Sequence, residues 1–254
     1  HYNFIELFSQ GTGRLKDLLG TEEYSLEYDC QAGFPMDRNR NASCRAALSE
    51  GVDWWVTFDS DMAFPRDVIW GLLRPMVAGG SEYDVELGEV RHVRPEQVDV
   101  VSGLYFRKGP PFTPVSGVLT RKDHPAWHHP INTDWAGLVR SDIVGAGCLA
   151  VRGSALQKIG EPWFKYMEWD GRQESSEDIH FCLQAKARGL GVWTDTRIPC
   201  AHFYVNQSNT ESWREVRKTY FDARGVPREG FVDPGIKTVF NRDLGKPWPG
   251  SAPV

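Results

Sequence analysis

The sequence lacks any apolar run long enough to cross a membrane. A membrane-spanning helix needs roughly 18 or more consecutive apolar residues, and no stretch of the 254-residue chain reaches that length. The sequence therefore predicts no transmembrane segment. The sequence also has no excess of basic over acidic residues. The formal net charge is −5, which argues against a nucleic acid or an anionic membrane as the partner.

Cysteine is also sparse, and its spacing excludes the common cysteine-based architectures. The five cysteines are odd in number, widely spaced and without a CxxC pair. Disulfide frameworks and zinc sites use paired, closely spaced cysteines. The observed pattern is instead typical of buried reduced thiols, and it predicts a cytoplasmic protein.

Aromatic residues, by contrast, are abundant: they make up 12% of the chain and include ten Trp. Core packing accounts for most of them, but aromatic faces also stack well on sugars and bases, so we expect some rings in a groove. With 41% hydrophobic and 25% charged residues, the rest of the composition is that of a globular protein. The length suits one large α/β domain or two small ones.

Helical and strand-like patterns alternate along the chain. Alanines recur at helical spacing after Asp37, a candidate N-cap, and a second helix opens at Pro65 and ends at Gly79. Short continuous apolar runs such as 53–58 are typical of buried parallel strands. The alternation predicts an α/β fold with a mostly parallel sheet flanked by helices. The other predicted elements are a helix over 37–50, strands over 98–106, 142–152 and 191–195, helices over 176–188 and 211–222, and an extended tail from 225.

Two aspartates follow the first predicted strand, in the stretch "VTFDSDMAFP". Ligands of open α/β sheets collect beyond the carboxyl ends of the strands, where Asp59 and Asp61 are expected. In a D-x-D turn both carboxylates can converge on one hard cation, Mg²⁺ or Mn²⁺, that neutralises a diphosphate. The alternative is a turn in which one of the two caps the following helix.

A second acidic pair, Glu177 and Asp178, opens the predicted helix in "SSEDIHF". A carboxylate there can act as a general base that takes the proton of an attacking hydroxyl. The alternative is helix capping, because Ser175 and Asp178 have the spacing of a capping box and acids favour the first helical turn.

Six pieces of the sequence, in order, resemble the family-2-type glycosyltransferases of the GT-A fold, in particular a bacterial and phage-like branch. They are "VTFDSDMAFP", "VVSGLYFRK", "IVGAGCLAVR", "EPWF", "SSEDIHFCLQAKARGLGV" and "PCAHF", preceded by Arg40-Asn41. The resemblance covers about 35–205 and departs from the family pattern in the first residues, where the usual first strand and its nucleotide-contacting loop are not evident. It implies a Rossmann-like nucleotide-diphospho-sugar transferase domain over 1–205 and a C-terminal helix with an extended tail over 206–254.

The resemblance also implies a donor site. Asp59 and Asp61 would form the D-x-D pair, with Asp61 the more direct ligand, and His202 would complete a site for Mn²⁺ or Mg²⁺. Arg40 and Asn41 would contact the UDP or GDP part of the sugar nucleotide, although a surface arginine is the alternative reading of Arg40.

The remaining implied positions concern the sugar and the acceptor. Asp178 would be the catalytic base of an inverting transfer, with Glu177 in reserve. Gly145 and Gly147 would let the backbone approach the donor sugar or the acceptor, with tight strand packing as the alternative. Trp163 and Phe164 either stack on an acceptor sugar or belong to the core.

Three further hypotheses compete with parts of this interpretation. The histidines His124, His128 and His129 suit zinc only on a regular helix, which the neighbouring prolines disfavour, so a loop over the active site is preferred. A nucleotidyltransferase would need a Gly-rich basic loop near the N-terminus, and the segment 9–20 matches such a loop only weakly. A non-catalytic carbohydrate-binding module would not need the D-x-D, His202 and acidic helix together.

The sequence therefore predicts a metal-dependent glycosyltransferase that moves a sugar from a nucleoside-diphosphate sugar to a hydroxyl of a carbohydrate, lipid or protein acceptor.

Overall fold

A seven-stranded sheet with helices on both faces forms the centre of the computed structural model, which describes residues 18–20, 35–84, 87–108, 112–120, 128–169 and 172–202. The helices are α1 (Met36–Ser49), α2 (Val68–Ala78), α3 (Gly153–Ile159) and α4 (Glu177–Ala187), with a 3₁₀ turn at Pro95–Gln97. The predicted helix over 211–222, the tail, and the proposed second region over 206–254 lie outside the described residues.

Thirteen strands occur in the described part of the chain. The seven of the central sheet are β1 (Trp54–Phe58), β3 (Gly80–Asp84), β4 (Glu89–Val93), β5 (Val100–Leu104), β8 (Leu138–Arg140), β9 (Cys148–Arg152) and β12 (Val192–Pro199). Three small two-stranded sheets pair β2 (Met62–Ala63) with β13 (Ala201–His202), β6 (Gly117–Leu119) with β7 (His128–Pro130), and β10 (Met167–Trp169) with β11 (Arg172–Ser175).

The central sheet is mixed, with the strand order β1-β9-β5-β12-β8-β3-β4. Only β5 with β12 and β8 with β3 pair in parallel, and the other four pairings of the described sheet are antiparallel. The predicted α/β class is confirmed. The prediction of a mostly parallel sheet is corrected, because β9 inserts between β1 and β5 and runs opposite to both.

Local patterns predict both ends of α1 and α4, and the end of α2, to within one residue, but α2 begins three residues after the predicted Pro65 and α3 is not predicted. α1 begins at Met36 after Pro35, whose backbone is extended, so Asp37 lies in the first turn and is not the N-cap. α2 begins at Val68, whose amide donates to the carbonyl of Pro65. None of the helices in the described ranges combines the length and the hydropathy needed to cross a bilayer.

Two hydrophobic clusters cover the two faces of the sheet. Along β9, Leu149 and Val151 belong to one cluster, whereas Cys148 and Ala150 belong to the other. This alternation follows from the two-residue period of a strand. The helix α2 packs on one face through residues such as Leu72, and α1, α3 and α4 pack on the other.

The strand directions bring several loops to one end of the sheet. Because β9 is antiparallel to both β1 and β5, and β12 is parallel to β5, the strands β1, β5 and β12 all run the same way. Their carboxyl ends therefore lie together, next to the start of β9. We call this the carboxyl end of the sheet.

The buried thiols give a test of this fold. Cys44, Cys148, Cys182 and Cys200 are all buried and reduced. Burial raises the pKa of the Cys44 and Cys182 thiols, and contact with the Cys148 thiol together with burial raises that of Cys200. Because the thiolate is the reactive form, these groups should not react with DTNB in native buffer and should react in guanidinium chloride. Rapid native labelling of two or more of the five thiols would contradict this packing.

Candidate functional site

Arg40 is the centre of the candidate site. It lies on α1 with 8% of its side chain exposed, and its Nη2 donates to Oδ1 of Asp59 at 2.8 Å. Its Nη1 donates to Oε1 of Glu177, whose side chain is 7% exposed. The guanidinium also lies 5.6 Å from the ring centroid of Phe164. Arg40 therefore joins α1, the loop after β1 and the start of α4, and the alternative of a surface arginine is wrong.

The charges around Arg40 compensate one another. Burial lowers the pKa of Arg40, but Asp59, Glu177 and Asp178 together raise it above its ordinary value. Burial raises the pKa of Glu177, Asp178 raises it further, and Arg40 opposes both effects. A buried arginine with two carboxylate partners remains charged and holds both carboxylates in place.

The side chain of Asn41, next to Arg40, forms hydrogen bonds with the backbone of Phe164. Its Nδ2 donates to the carbonyl of Phe164 at 2.7 Å, and its Oδ1 accepts from the amide of Phe164 at 3.0 Å. The side chain thus clamps the segment that carries Phe164 onto α1. In this structure both polar atoms of Asn41 are used in that way, so they are not presented to a nucleotide.

The aromatic pair Trp163 and Phe164 belongs to the core. Phe164 is fully buried and stacks on Phe181, with ring centroids 5.0 Å apart. Trp163 is 3% exposed, and its Nε1 donates to the carbonyl of Leu156 at 2.8 Å. Of the two readings, core packing is confirmed for both rings.

Asp61, the second member of the D-x-D, occupies a more open position than Asp59. Its side chain is 43% exposed and forms an ion pair with Lys108, which follows β5 and is exposed to the same degree. The side chain of Asp59 is 26% exposed. The two aspartates therefore have separate cationic partners, and Asp61 is the one that faces solvent.

Backbone pairing brings His202 beside the D-x-D turn. The strand β13 pairs with β2, so that His202 lies opposite Met62, the residue after Asp61. The Nδ1 atom of His202 is 2.5 Å from the carbonyl oxygen of Phe106. A carbonyl can only accept, so Nδ1 carries the proton, and the lone pair of the neutral ring is on Nε2.

Tyr105 is a site residue that the sequence reasoning missed. It follows β5, it is 4% exposed, and its hydroxyl oxygen accepts from the amide of Gly147 at 3.0 Å. Its ring meets that of His202 edge-on, with centroids 5.0 Å apart. Burial raises the pKa of Tyr105 and the charges of Asp178 and Asp59 raise it further, so the hydroxyl stays neutral. Its place directly after a buried strand in "VVSGLYF" was the available signal.

Gly145 and Gly147 make room for Tyr105. A Cβ on Gly145 would lie 1.9 Å from the Tyr105 hydroxyl, and one on Gly147 would lie 2.6 Å from the sulfur of Met62 and 3.1 Å from Oδ2 of Asp59. The two glycines therefore serve tight packing, one of the two readings considered for them. Gly147 also fixes the D-x-D turn, because its carbonyl accepts from the amide of Asp59 at 2.9 Å.

The acidic pair at the start of α4 divides into two environments. Glu177 is buried against Arg40, whereas Asp178 is partly exposed and accepts from the hydroxyl of Ser176. Ser176 is the N-cap residue, and it makes no side-chain capping hydrogen bond. The predicted capping box from Ser175 is therefore absent from this described helix.

A metal centre of Asp59, Asp61 and His202 is not assembled in this structure. Among the described residues, no group of three or more His, Cys, Asp or Glu side chains is arranged to hold a metal ion. The donor types nevertheless suit a hard divalent cation, since two carboxylates and an imidazole with its lone pair on Nε2 lie on neighbouring segments. Completing the site would require Asp61 to exchange Lys108 for the cation.

The segment with the three histidines, predicted as a loop over the active site, includes the strand β7. The strands β6 and β7 pair antiparallel, so that Val118 lies opposite His129. His128 is 5% exposed, and burial lowers the pKa of His129. His124 lies outside the described residues, and the zinc hypothesis for these histidines gains no support.

Comparisons with known proteins do not show a family. No protein-family model matches the sequence, and no curated protein matches it. Among solved structures, the chain is similar to the crystal structure of A197 from STIV, with 16% sequence identity over 79% of this chain and 78% of that chain. The TM-score is 0.42, so this likeness carries no argument here.

The importance of Arg40 can be measured against a neighbouring arginine. Removing the charge in Arg40→Met leaves Asp59 and Glu177 without their buried partner and should lower the free energy of unfolding by about 3–5 kcal/mol. Arg45 lies on the same helix, 55% exposed, in an ion pair with Glu161. Arg45→Met should therefore cost less than about 1 kcal/mol.

Urea denaturation of the single variants and of Arg40→Met combined with Glu177→Gln measures the coupling. The double variant should lose less stability than the sum of its two single variants, because no buried carboxylate at 177 is left unpaired. Equal losses for Arg40→Met and Arg45→Met would contradict the assignment.

Proposed function

We propose that this protein is a glycosyltransferase of the GT-A type that moves a sugar from a nucleoside-diphosphate sugar to an acceptor hydroxyl. The observation that supports it best is the convergence of three sequence motifs on the carboxyl end of the sheet. The D-x-D turn follows β1, the late His202 lies opposite Met62, and the acidic start of α4 is joined to Asp59 through Arg40. The D-x-D turn lies more than 100 residues from the other two motifs in the sequence.

Asp61, Asp59 and Nε2 of His202 are the residues that would hold a divalent cation, Mn²⁺ or Mg²⁺. When bound, the cation would neutralise the diphosphate of the donor and stabilise it as a leaving group. Asp61 is suited to the most direct role because it is the more exposed aspartate and its ion pair with Lys108 is at the surface. The hydrogen bond from Nδ1 of His202 to the carbonyl of Phe106 would orient the ring, as hydrogen bonds from the other ring nitrogen do in metal-binding histidines.

Arg40 takes a different role from the one that the sequence suggests. Its guanidinium already serves Asp59 and Glu177, so we assign it to positioning those two carboxylates and not to direct contact with the diphosphate. Asn41 supports it by holding Phe164 beneath the guanidinium.

Asp178 is the residue that we assign as general base. It is partly exposed, while Glu177 is buried and paired with Arg40. In an inverting transfer, the acceptor oxygen attacks the anomeric carbon, its proton passes to the carboxylate of Asp178, and the nucleoside diphosphate leaves with the bonding electron pair. A non-catalytic sugar-binding module is less well supported, because Trp163 and Phe164 are buried and offer no stacking surface.

Donor binding can be tested by calorimetric titration of UDP and GDP with and without Mn²⁺. We expect one of the two nucleotides to bind the wild-type protein only when Mn²⁺ is present. Asp61→Asn keeps the size of the side chain but removes the charge, so it should weaken this binding at least tenfold.

The matched control for this titration is Glu89→Gln, an exposed acidic residue on β4 that is paired with Arg91. It lies at the opposite edge of the sheet from β1, and its variant should bind like the wild type. Nucleotide binding that does not depend on Mn²⁺ and is unchanged in Asp61→Asn would contradict the metal-binding role and leave the D-x-D as a structural turn.

The two acidic residues of α4 should respond differently to neutralisation. Asp178→Asn should lower turnover of the donor by about 10²–10⁴-fold, the usual contribution of a general base, without weakening nucleotide binding. Glu177→Gln should instead lower the free energy of unfolding, because it leaves Arg40 with one fewer charged partner. Nucleotide release from the sugar donor and urea denaturation measure the two effects, and unchanged turnover in Asp178→Asn would exclude it as the base.

A further inference from the structure

A cleft lies on the α2 face of the sheet. It has a volume of about 200 Å³ and lies between α2 and the C-terminal half of β12. Gly71 helps to open it, since a Cβ there would lie 3.0 Å from Cδ1 of Ile198 on the facing strand. The residues that give the cleft its chemical character are Trp70, Arg74, Asp195 and Arg197.

Among the described residues, Arg74 has no ion-pair partner. Its Nε is buried and has no hydrogen-bond partner. The guanidinium stacks on the ring of Trp70, with Cζ 5.3 Å from the centroid. Stacking of this kind leaves the N–H groups at the edge of the guanidinium plane, where they can donate to a ligand.

Arg197 adds a second positive charge to the cleft. Its Nε and Nη2 donate to the two oxygens of Asp195 at 2.8 and 2.6 Å, and the carboxylate of Asp195 is 2% exposed. Both carboxylate oxygens of Asp195 therefore accept hydrogen bonds from Arg197. Burial lowers the pKa of Arg74, and repulsion from Arg197 lowers it more than attraction to Asp195 raises it. A second carboxylate, that of Asp67, also lines the cleft.

We propose that this cleft binds an oxyanion, the phosphate or carboxylate group of a small polar ligand, with Arg74 as its main donor and Arg197 as the second. A buried N–H without a hydrogen-bond partner, such as that on Nε of Arg74, is costly in the free protein. The edge of a guanidinium can bind an oxyanion in a bidentate arrangement. The indole of Trp70 provides a flat wall for the body of the ligand. The proposal stands independently of the glycosyltransferase assignment.

The proposal can be tested by calorimetric titration with glucose 6-phosphate, glucuronate and glucose, without nucleotide or metal. At least one of the two anionic sugars should bind, and neutral glucose should not. The anion that binds more tightly distinguishes a phosphate site from a carboxylate site. Arg74→Gln should weaken the binding at least tenfold.

Two control variants separate this site from other positive charges and from the candidate donor site. Arg91→Gln removes an arginine that is paired with Asp84 at 2.7 Å, and it should bind the anion like the wild type. Asp61→Asn should also retain anion binding, whatever its effect on nucleotides. Loss of anion binding in Asp61→Asn, or unchanged binding in Arg74→Gln, would overturn the proposal, as would no binding of either anion.

The stability of Arg74→Gln provides a second readout. Because Arg74 has no counterion in the described structure, its replacement should leave the Tm of the free protein unchanged or raise it. The anion should raise the Tm of the wild type and not that of Arg74→Gln. A large fall in the Tm of the free variant would show that Arg74 serves the fold and not a ligand.

Discussion

The buried charge of Arg40 is the constraint on which the candidate site depends. A guanidinium removed from water needs charged partners, and here those partners come from two distant parts of the chain, Asp59 and Glu177. The loop after β1 and the first turn of α4 must therefore both dock against α1 before the charge is satisfied. Asn41 and the ring of Phe164 complete the surroundings of the guanidinium. This ionic cluster links the two acidic motifs to each other through α1.

The same cluster separates the acidic residues by role. Glu177 is buried and Asp59 largely so, and both are held by Arg40, whereas Asp61 and Asp178 remain accessible at the carboxyl end of the sheet. Groups that must bind a cation or move a proton need contact with the ligand, and groups that position them need burial and fixed partners. In each acidic motif, Arg40 therefore holds one carboxylate, Asp59 or Glu177, and leaves the other, Asp61 or Asp178, free of that ion-pair cluster. Asp59 remains a further ligand of the cation that we propose, because its side chain is 26% exposed.

Local sequence patterns predict α1, α2 and α4, though not the seven-residue α3, and the places where acidic residues follow strands, because these depend on nearby residues. They do not predict the direction of β9, since strand direction is set by long-range pairing and an apolar run such as "CLAVR" fits either orientation. The burial of Arg40 is not predicted by the sequence either. A single arginine on a polar helix has the pattern of a surface residue, and its two partners come close to it only in the folded chain. Gly145 and Gly147 were recognised as sites of close approach, but the group that approaches is Tyr105, which contacts them only in the folded chain. No sequence motif predicts the cleft between α2 and β12, because Arg74 and Arg197 are on separate elements.

The central claim is that Asp61 and His202 meet on a metal ion that carries a nucleotide. Anomalous diffraction at the manganese edge, from crystals grown with Mn²⁺ and the nucleotide that binds in solution, would test it most directly. We expect one strong anomalous peak between a carboxylate oxygen of Asp61 and Nε2 of His202, in contact with the diphosphate. A peak elsewhere on the protein, or bound nucleotide with Asp61 still paired to Lys108, would contradict it.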